Sequence, residues 1–189
     1  MPLMSQRQAL EVLTKHRGER IVVTTMSATG IWPQLSDSPL DFAYIPSAMG
    51  HAPALGMGLA LAHPECGAVV VNGDGCMLMS LGCLVTLAHQ AANVFLLVMD
   101  NGLYEVTGGQ TVAGAGHTDY AAMARAAGVR RVYSFDTLDA WTRGAAEAMA
   151  GRGPAVIWLK VEGRLGQKTP KPPCPITEQV ARLRKAIKG

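Results

Sequence analysis

Apolar positions along the chain recur in two periods. Residues 5–16 place Ala9, Leu10, Val12 and Leu13 on one face, the spacing of an amphipathic surface helix. Residues 20–25 (RIVVTT) read as a short strand, and 27–35 as a loop leading into a short helix. Residues 36–46 carry Pro39 and Pro46 and read as a loop. The Ala-, Leu- and Gly-rich stretch 51–63, stopped by Pro64, predicts a tightly packed buried helix. Residues 67–72 (GAVVVN) and 94–99 (VFLLVM) are unbroken apolar runs, as expected of strands covered on both faces. Residues 76–90 between them predict a helix. Residues 101–118 form a long Gly-rich loop, a length that in a compact domain points to function. A helix over 119–127 has Asp119 as its cap and Gly128 as its stop. Then 129–134 is strand-like, 137–150 helical and 154–161 (PAVIWLKV) a strand. Residues 163–175 carry four prolines and read as an extended linker before a basic helix over 176–188. Alternating strands and helices predict an α/β fold, a doubly wound, mainly parallel sheet with helices on both faces. The expected division is a domain of residues 1–163 followed by a linker and C-terminal helix over 164–189.

Composition narrows the classes. Apolar residues make up 49% of the 189 and charged residues 16%, against about 25% charged in an average globular chain. Such a chain buries a sizeable core. The net charge of +3 is small and scattered, which argues against nucleic-acid binding. The longest nearly uncharged stretch, 67–99, is broken by Asn72-Gly73-Asp74-Gly75 and carries His89, so no membrane span is expected. The N-terminal pattern has no apolar signal core. The four cysteines make no CxxC pair, which fits a reducing cytoplasm and argues against an iron–sulfur or structural zinc site.

The chemistry concentrates after the first long apolar strand. That strand ends at Asn72, Gly73-Asp74-Gly75 turns, and a helix begins near Cys76. Open α/β sheets bind ligands at the carboxyl ends of their strands. A helix start presents free N–H groups to a phosphate, and glycines let the backbone come close. Asp74 between them would repel a phosphate unless a divalent cation bridges the two, and Mg²⁺ is satisfied by few protein ligands plus phosphate oxygens. The next buried strand ends in Asp100-Asn101, which places Asn101 and the Leu103 carbonyl within reach of the same ion. A nicotinamide-binding Rossmann site is the competing reading. It places Leu78 at the third glycine position, and it leaves Asp74 facing a pyrophosphate with no cation. A structural tight turn is the third.

Gly73-Asp74-Gly75, 24 intervening residues and Asp100-Asn101 resemble the thiamin diphosphate motif GDG-x24–27-NN, with Asp100 in place of the first Asn. Ser47-Ala48-Met49-Gly50-His51-Ala52 is similar to the SMGHA stretch of phosphonopyruvate and sulfopyruvate decarboxylases. Residues 101–111, Asn-Gly-Leu-Tyr-Glu-Val-Thr-Gly-Gly-Gln-Thr, resemble their NGxYExTGGQ-T loop. These blocks extend the resemblance over about residues 20–160. It implies that Asp74, Asn101 and the Leu103 carbonyl bind Mg²⁺, and that Gly73, Gly75 and Cys76 hold the diphosphate. Tyr104 and Thr107 border the same cofactor. Met49 supports the bent cofactor, or is core filler. The Ser47 carbonyl accepts the cofactor's amino proton. His51 is an acid/base or a helix cap, and Glu105 a catalytic carboxylate or a loop brace. Thr107 and Gln110 bond substrate or their own loop. His117 orders its loop, contacts substrate or is solvated. Ser27 touches the diphosphate or serves the fold.

The resemblance covers only the module that holds diphosphate and Mg²⁺. It therefore implies a β-type subunit of a split decarboxylase, or part of a longer enzyme. A pyrimidine-binding α-type partner would supply a Glu, and the isolated chain would form a homo-oligomer. The implied reaction is decarboxylation of a small anionic 2-oxo acid, with the cofactor carrying the difficult chemistry. A non-catalytic cofactor-binding subunit is the alternative within the family. No Arg cluster lies near the motifs in sequence, so basic contacts to a sulfonate or phosphonate are expected from the partner.

Overall fold

The structure, a computed structural model, describes residues 3–43, 49–90 and 92–188. The strands are β1 (Ile21–Thr24), β2 (Asp41–Ala43), β3 (Ala68–Gly73), β4 (Val94–Asp100), β5 (Leu103–Tyr104), β6 (Gln110–Thr111), β7 (Arg131–Phe135) and β8 (Ala155–Lys160). The helices are α1 (Gln6–Thr14), α2 (Ser27–Ile31), α3 (Ala52–Ala62), α4 (Asp74–Leu78), α5 (Gly82–Gln90), α6 (Tyr120–Ala126), α7 (Leu138–Ala148) and α8 (Ile176–Ala186).

Six strands form one wholly parallel sheet in the order β2-β1-β3-β4-β8-β7. Alternate residues of each strand supply the two cores. Val70, Leu96 and Val98 pack with α3, α5, α6 and α8, whereas Val71, Leu97 and Met99 pack with α1, α2 and α7. The expected doubly wound sheet is therefore present. From β1 the chain leaves to one edge through β2 and returns on the other side as β3. The carboxyl ends of β1 and β3 thus form the topological switch point, where open sheets bind ligands.

Four expectations change. Residues 36–46, read as a loop, contain edge strand β2, which α8 covers. Gln179, fully buried on α8, accepts from the Ala43 N–H at 2.9 Å and donates to the Cys174 carbonyl. Residues 101–118, read as one loop, hold the β5–β6 hairpin around a 3-10 turn at Glu105–Thr107. Helix 76–90 is broken at 79–81 into α4 and α5; Gly50 packs there against Met79 and Ser80. Helix α3 buries Ala52, Gly56, Met57 and Ala60 but exposes Ala54, Gly58 and Leu61. Its backbone lies so close to the sheet that a Cβ on Gly56 would sit 2.2 Å from Val70. The hydropathy of α3 therefore serves two surfaces, and this chain covers only one.

Residues 164–175 run without regular structure across α2, with Pro170 against Gly30, before α8. No helix among the described residues is long and apolar enough to cross a membrane.

Candidate cofactor site

A narrow cleft of about 50 Å³ opens at the switch point. Its floor is the end of β3 and the start of α4. Its walls come from the turn after β1, the turn after β4 and the β5–β6 hairpin. The fold brings Ser27, Met49, Gly73, Asp74, Gly75, Cys76, Asn101, Leu103, Tyr104, Glu105 and Thr107 onto this one surface. His51 is not among the lining residues. It is exposed at the N-cap of α3, where its side chain makes no capping bond. Ser47 lies outside the described residues. Gln110 is exposed on β6, and His117 borders a separate hollow with Lys160 and Trp158.

Asp74 begins α4 and is 2% exposed. One of its oxygens accepts from the Gly102 N–H at 2.9 Å, which ties the floor to the turn after β4. Burial and the neighbouring Asp100 push its carboxyl up to about 7, against the pull of the Gly75 and Gly102 N–H groups. Asp100 in turn accepts from Trp158 Nε1 at 2.9 Å. Asn101 turns its side-chain oxygen toward the Leu103 N–H at 2.9 Å, holding the turn in place. Burial pushes the Cys76 thiol up, so at neutral pH it stays protonated. Among the described residues no group of three or more His, Cys, Asp or Glu could hold a metal. A cation here would draw on Asp74, on amide and carbonyl oxygens, and on its ligand.

The backbone is shaped for close approach. A Cβ on Gly75 would sit 2.4 Å from the Tyr104 ring, so only glycine permits that ring to close the floor. A Cβ on Gly73 meets nothing within 4 Å and would project into open space. Met26, just after β1, is held at φ 51° and ψ −129°, the one non-glycine residue at positive φ among those described. Such a conformation costs on the order of 1–3 kcal/mol and clusters at ligand sites.

Glu105 is buried and saturated. Gln6 Nε2 donates to both its oxygens at 3.0 and 2.9 Å, the Arg164 N–H donates at 2.7 Å, and the Ser27 hydroxyl makes a further short bond. One carboxylate thereby joins α1, α2, the hairpin and the segment after β8. This geometry makes Glu105 a brace whose lone pairs are already engaged. Gln6, Met26 and Met79 line the cleft without having been singled out in the sequence. The unusual φ of Met26 has no sequence signature, and Gln6 looks like an ordinary helix residue until its partner 99 positions away is seen.

One electrostatic property governs what this cleft can hold. Its described lining contains two carboxylates, Asp74 and Glu105, and no Lys, Arg or His.

Comparison with known proteins agrees with the geometry. Phosphonopyruvate decarboxylase of Streptomyces viridochromogenes is 38% identical over 146 residues, 77% of this chain and 36% of that protein. The β subunit of sulfopyruvate decarboxylase of Methanothermobacter thermautotrophicus is 36% identical over 129 residues, 68% of this chain and 65% of that subunit. The chain therefore spans about a third of the length of the phosphonopyruvate decarboxylases it matches. In fold it is similar to the thiamine diphosphate-dependent 4-hydroxybenzoylformate decarboxylase of Rhodococcus jostii RHA1. That likeness has a TM-score of 0.70 at 18% identity, covering 87% of this chain and 34% of that one. Residues 24–159 match the family described as thiamine pyrophosphate enzyme, C-terminal TPP binding domain, and the chain belongs to that family.

Proposed function

We propose that this chain is the diphosphate-binding, β-type part of a thiamin diphosphate- and Mg²⁺-dependent decarboxylase acting on a small anionic 2-oxo acid of the sulfopyruvate or phosphonopyruvate kind. The observation that carries the metal is the lining of the cleft. A diphosphate cannot settle against Asp74 in a cleft whose described lining holds no basic residue unless a cation stands between them. Asp74, Asn101 and the Leu103 carbonyl would hold Mg²⁺, and the backbone about Gly75 and Cys76 would receive the diphosphate. When bound, thiamin diphosphate supplies the electron sink that lets a 2-oxo acid lose its carboxylate as CO₂. The chain's own residues position and enclose. Met49, Met79, Met99 and Val106 keep the cleft apolar, and the Glu105 brace fixes the hairpin.

A partner completes the site in this reading. Near Met49, helix α3 turns Ala54, Gly58 and Leu61 outward, and Leu61, Met79 and Val85 are each at least half exposed. Faces of this kind mark protein interfaces. The curated relatives include chains named as β subunits, which supports a separate α-type chain bringing the Glu and the pyrimidine pocket. Alone, the chain self-associates through the same face; the cysteine usage supports a cytoplasmic setting.

The test is reconstitution. Purified chain is assayed for CO₂ release from 3-sulfopyruvate, 3-phosphonopyruvate and pyruvate with cofactor and Mg²⁺, alone and with the neighbouring gene's product. Activity only in the mixture is expected. Turnover by the chain alone refutes the split site. Cofactor binding unaffected by chelator refutes the metal role. Binding without turnover under any pairing would support the non-catalytic subunit instead.

A further inference from the structure

A second cleft, of about 350 Å³, lies on the other side of the Glu105 brace. Its volume falls in the roughly 300–1,000 Å³ range of small-ligand sites. The two clefts share Gln6, Ser27, Glu105 and Val106, so a single layer of side chains separates them. Their electrostatics are opposite. Arg7, Arg164 and Lys168 converge on the second, accompanied by the amides of Gln34 and Gln167. Glu105 is the one carboxylate in its described lining, and its oxygens are taken by Gln6, Ser27 and the Arg164 N–H. Among the described residues no carboxylate lies within 4.0 Å of the Arg164 or Lys168 side-chain nitrogens, and Arg7 has only the exposed Glu11 at 3.9 Å.

The cations sit on a built wall. The Arg164 N–H is tied to Glu105, the Thr169 hydroxyl donates to the Val106 carbonyl at 3.1 Å, and Pro170 packs on Gly30. The segment 164–170 is thus pinned at both ends. Across the cleft, Arg7 is held by Gln34, which is itself bonded to the Gly30 carbonyl at 2.7 Å. Three like charges against one braced carboxylate and the exposed Glu11 leave the cleft net positive. Guanidinium forks match the edges of a tetrahedral oxyanion.

We propose that this cleft binds a small tetrahedral oxyanion, the chemistry shared by phosphate, phosphonate and sulfonate groups. The ligand is a free oxyanion held beside the cofactor cleft, because the layer of Gln6, Ser27, Glu105 and Val106 keeps the head of a three-carbon substrate out of it.

The probe is the double variant Arg164→Gln/Lys168→Gln, which keeps the backbone N–H that Glu105 needs. Calorimetric titration of the chain with inorganic phosphate and with sulfate, against chloride at equal ionic strength, is expected to show binding at least tenfold weaker in the variant, with folding unchanged. In the reconstituted enzyme, a tenfold or greater rise in KM for 3-sulfopyruvate or 3-phosphonopyruvate, with that for pyruvate unmoved, would overturn the free-ion assignment. An unmoved KM together with lost phosphate binding assigns it to a free ion. Equal behaviour of wild type and variant toward both ions and both acids overturns the proposal. Inactive complexes would count against the decarboxylase reading alone, because the titration does not depend on turnover.

Discussion

Replacing Asp74 by Asn should stabilise the metal-free chain while destroying its cofactor site. The Asp74 carboxyl is raised from an ordinary 3.8 to about 7, first by burial and then by Asp100. Between those values the folded chain holds a proton that the unfolded chain has released. Stability therefore falls as pH rises from about 4 to 7, and the full cost is present above pH 7. A shift of about 3 units at 1.36 kcal/mol each is about 4 kcal/mol, an upper value because Asp100 shares the strain. Asparagine keeps an oxygen for the Gly102 N–H and removes the charge. Expected at pH 8 with chelator is a gain of about 2–4 kcal/mol, or roughly 4–16 °C in Tm for a chain of this length. At pH 4 the gain should vanish. With Mg²⁺ and thiamin diphosphate the gap should close or invert, since only the wild type gains about 4.1 kcal/mol at one thousand times Kd. Thermal denaturation of both proteins across pH 4–8 reads this directly. A variant no more stable than wild type at pH 8, or a difference independent of pH, would refute the electrostatic account.

The other predictions address the brace, the floor and the covered edge. Glu105→Gln leaves donors from Gln6, Ser27 and the Arg164 N–H competing for one oxygen, and should cost about 2–4 kcal/mol in urea denaturation at unchanged m, with faster proteolysis within 164–170. Gly75→Ala forces a methyl into the Tyr104 ring and should cost about 1–3 kcal/mol and weaken cofactor binding by calorimetry, with Tyr104→Ala in the same chain restoring stability. Gln179→Leu orphans the buried Ala43 N–H and should cost roughly 1–3 kcal/mol, with earlier hydrogen exchange along β2 than along β4.

What the sequence reveals divides by range. The strands β3, β4 and β8 are legible because a strand covered on both faces must be a continuous apolar run. Asp74 and Asn101 are legible because each directly follows such a strand. Strand β2 is not: three residues after Pro39 carry no pattern of their own, and what makes Asp41–Ala43 a strand is pairing with β1 and the cap from Gln179 136 positions away. The exposed side of α3 is hidden for the opposite reason, since its composition is apolar all round and does not say which face this chain covers. The basic cleft escapes a search for clustered arginines because Arg7 and Arg164 lie at opposite ends of the chain and meet only when the segment after β8 folds back across α2.

The neighbours of Asp100 give a reason for Asp at this position, where the resembling motif has Asn. Asp100 accepts from Trp158 Nε1 and raises the Asp74 carboxyl, so two carboxylates crowd where β3 and β4 end, with Asp100 bordering the hollow that His117 and Lys160 line. In the proposed function a divalent ion would relieve that crowding and bring a charge that a diphosphate could balance, so each ligand would favour the other's binding. An Asn at 100 would remove half of the stress and with it part of the drive to take up the ion. Asp100→Asn should therefore bring the Asp74 carboxyl back toward its ordinary value and weaken Mg²⁺ uptake, seen as a higher Mg²⁺ requirement for cofactor binding in calorimetry. An unchanged Mg²⁺ requirement would show that Asp100 serves Trp158 alone.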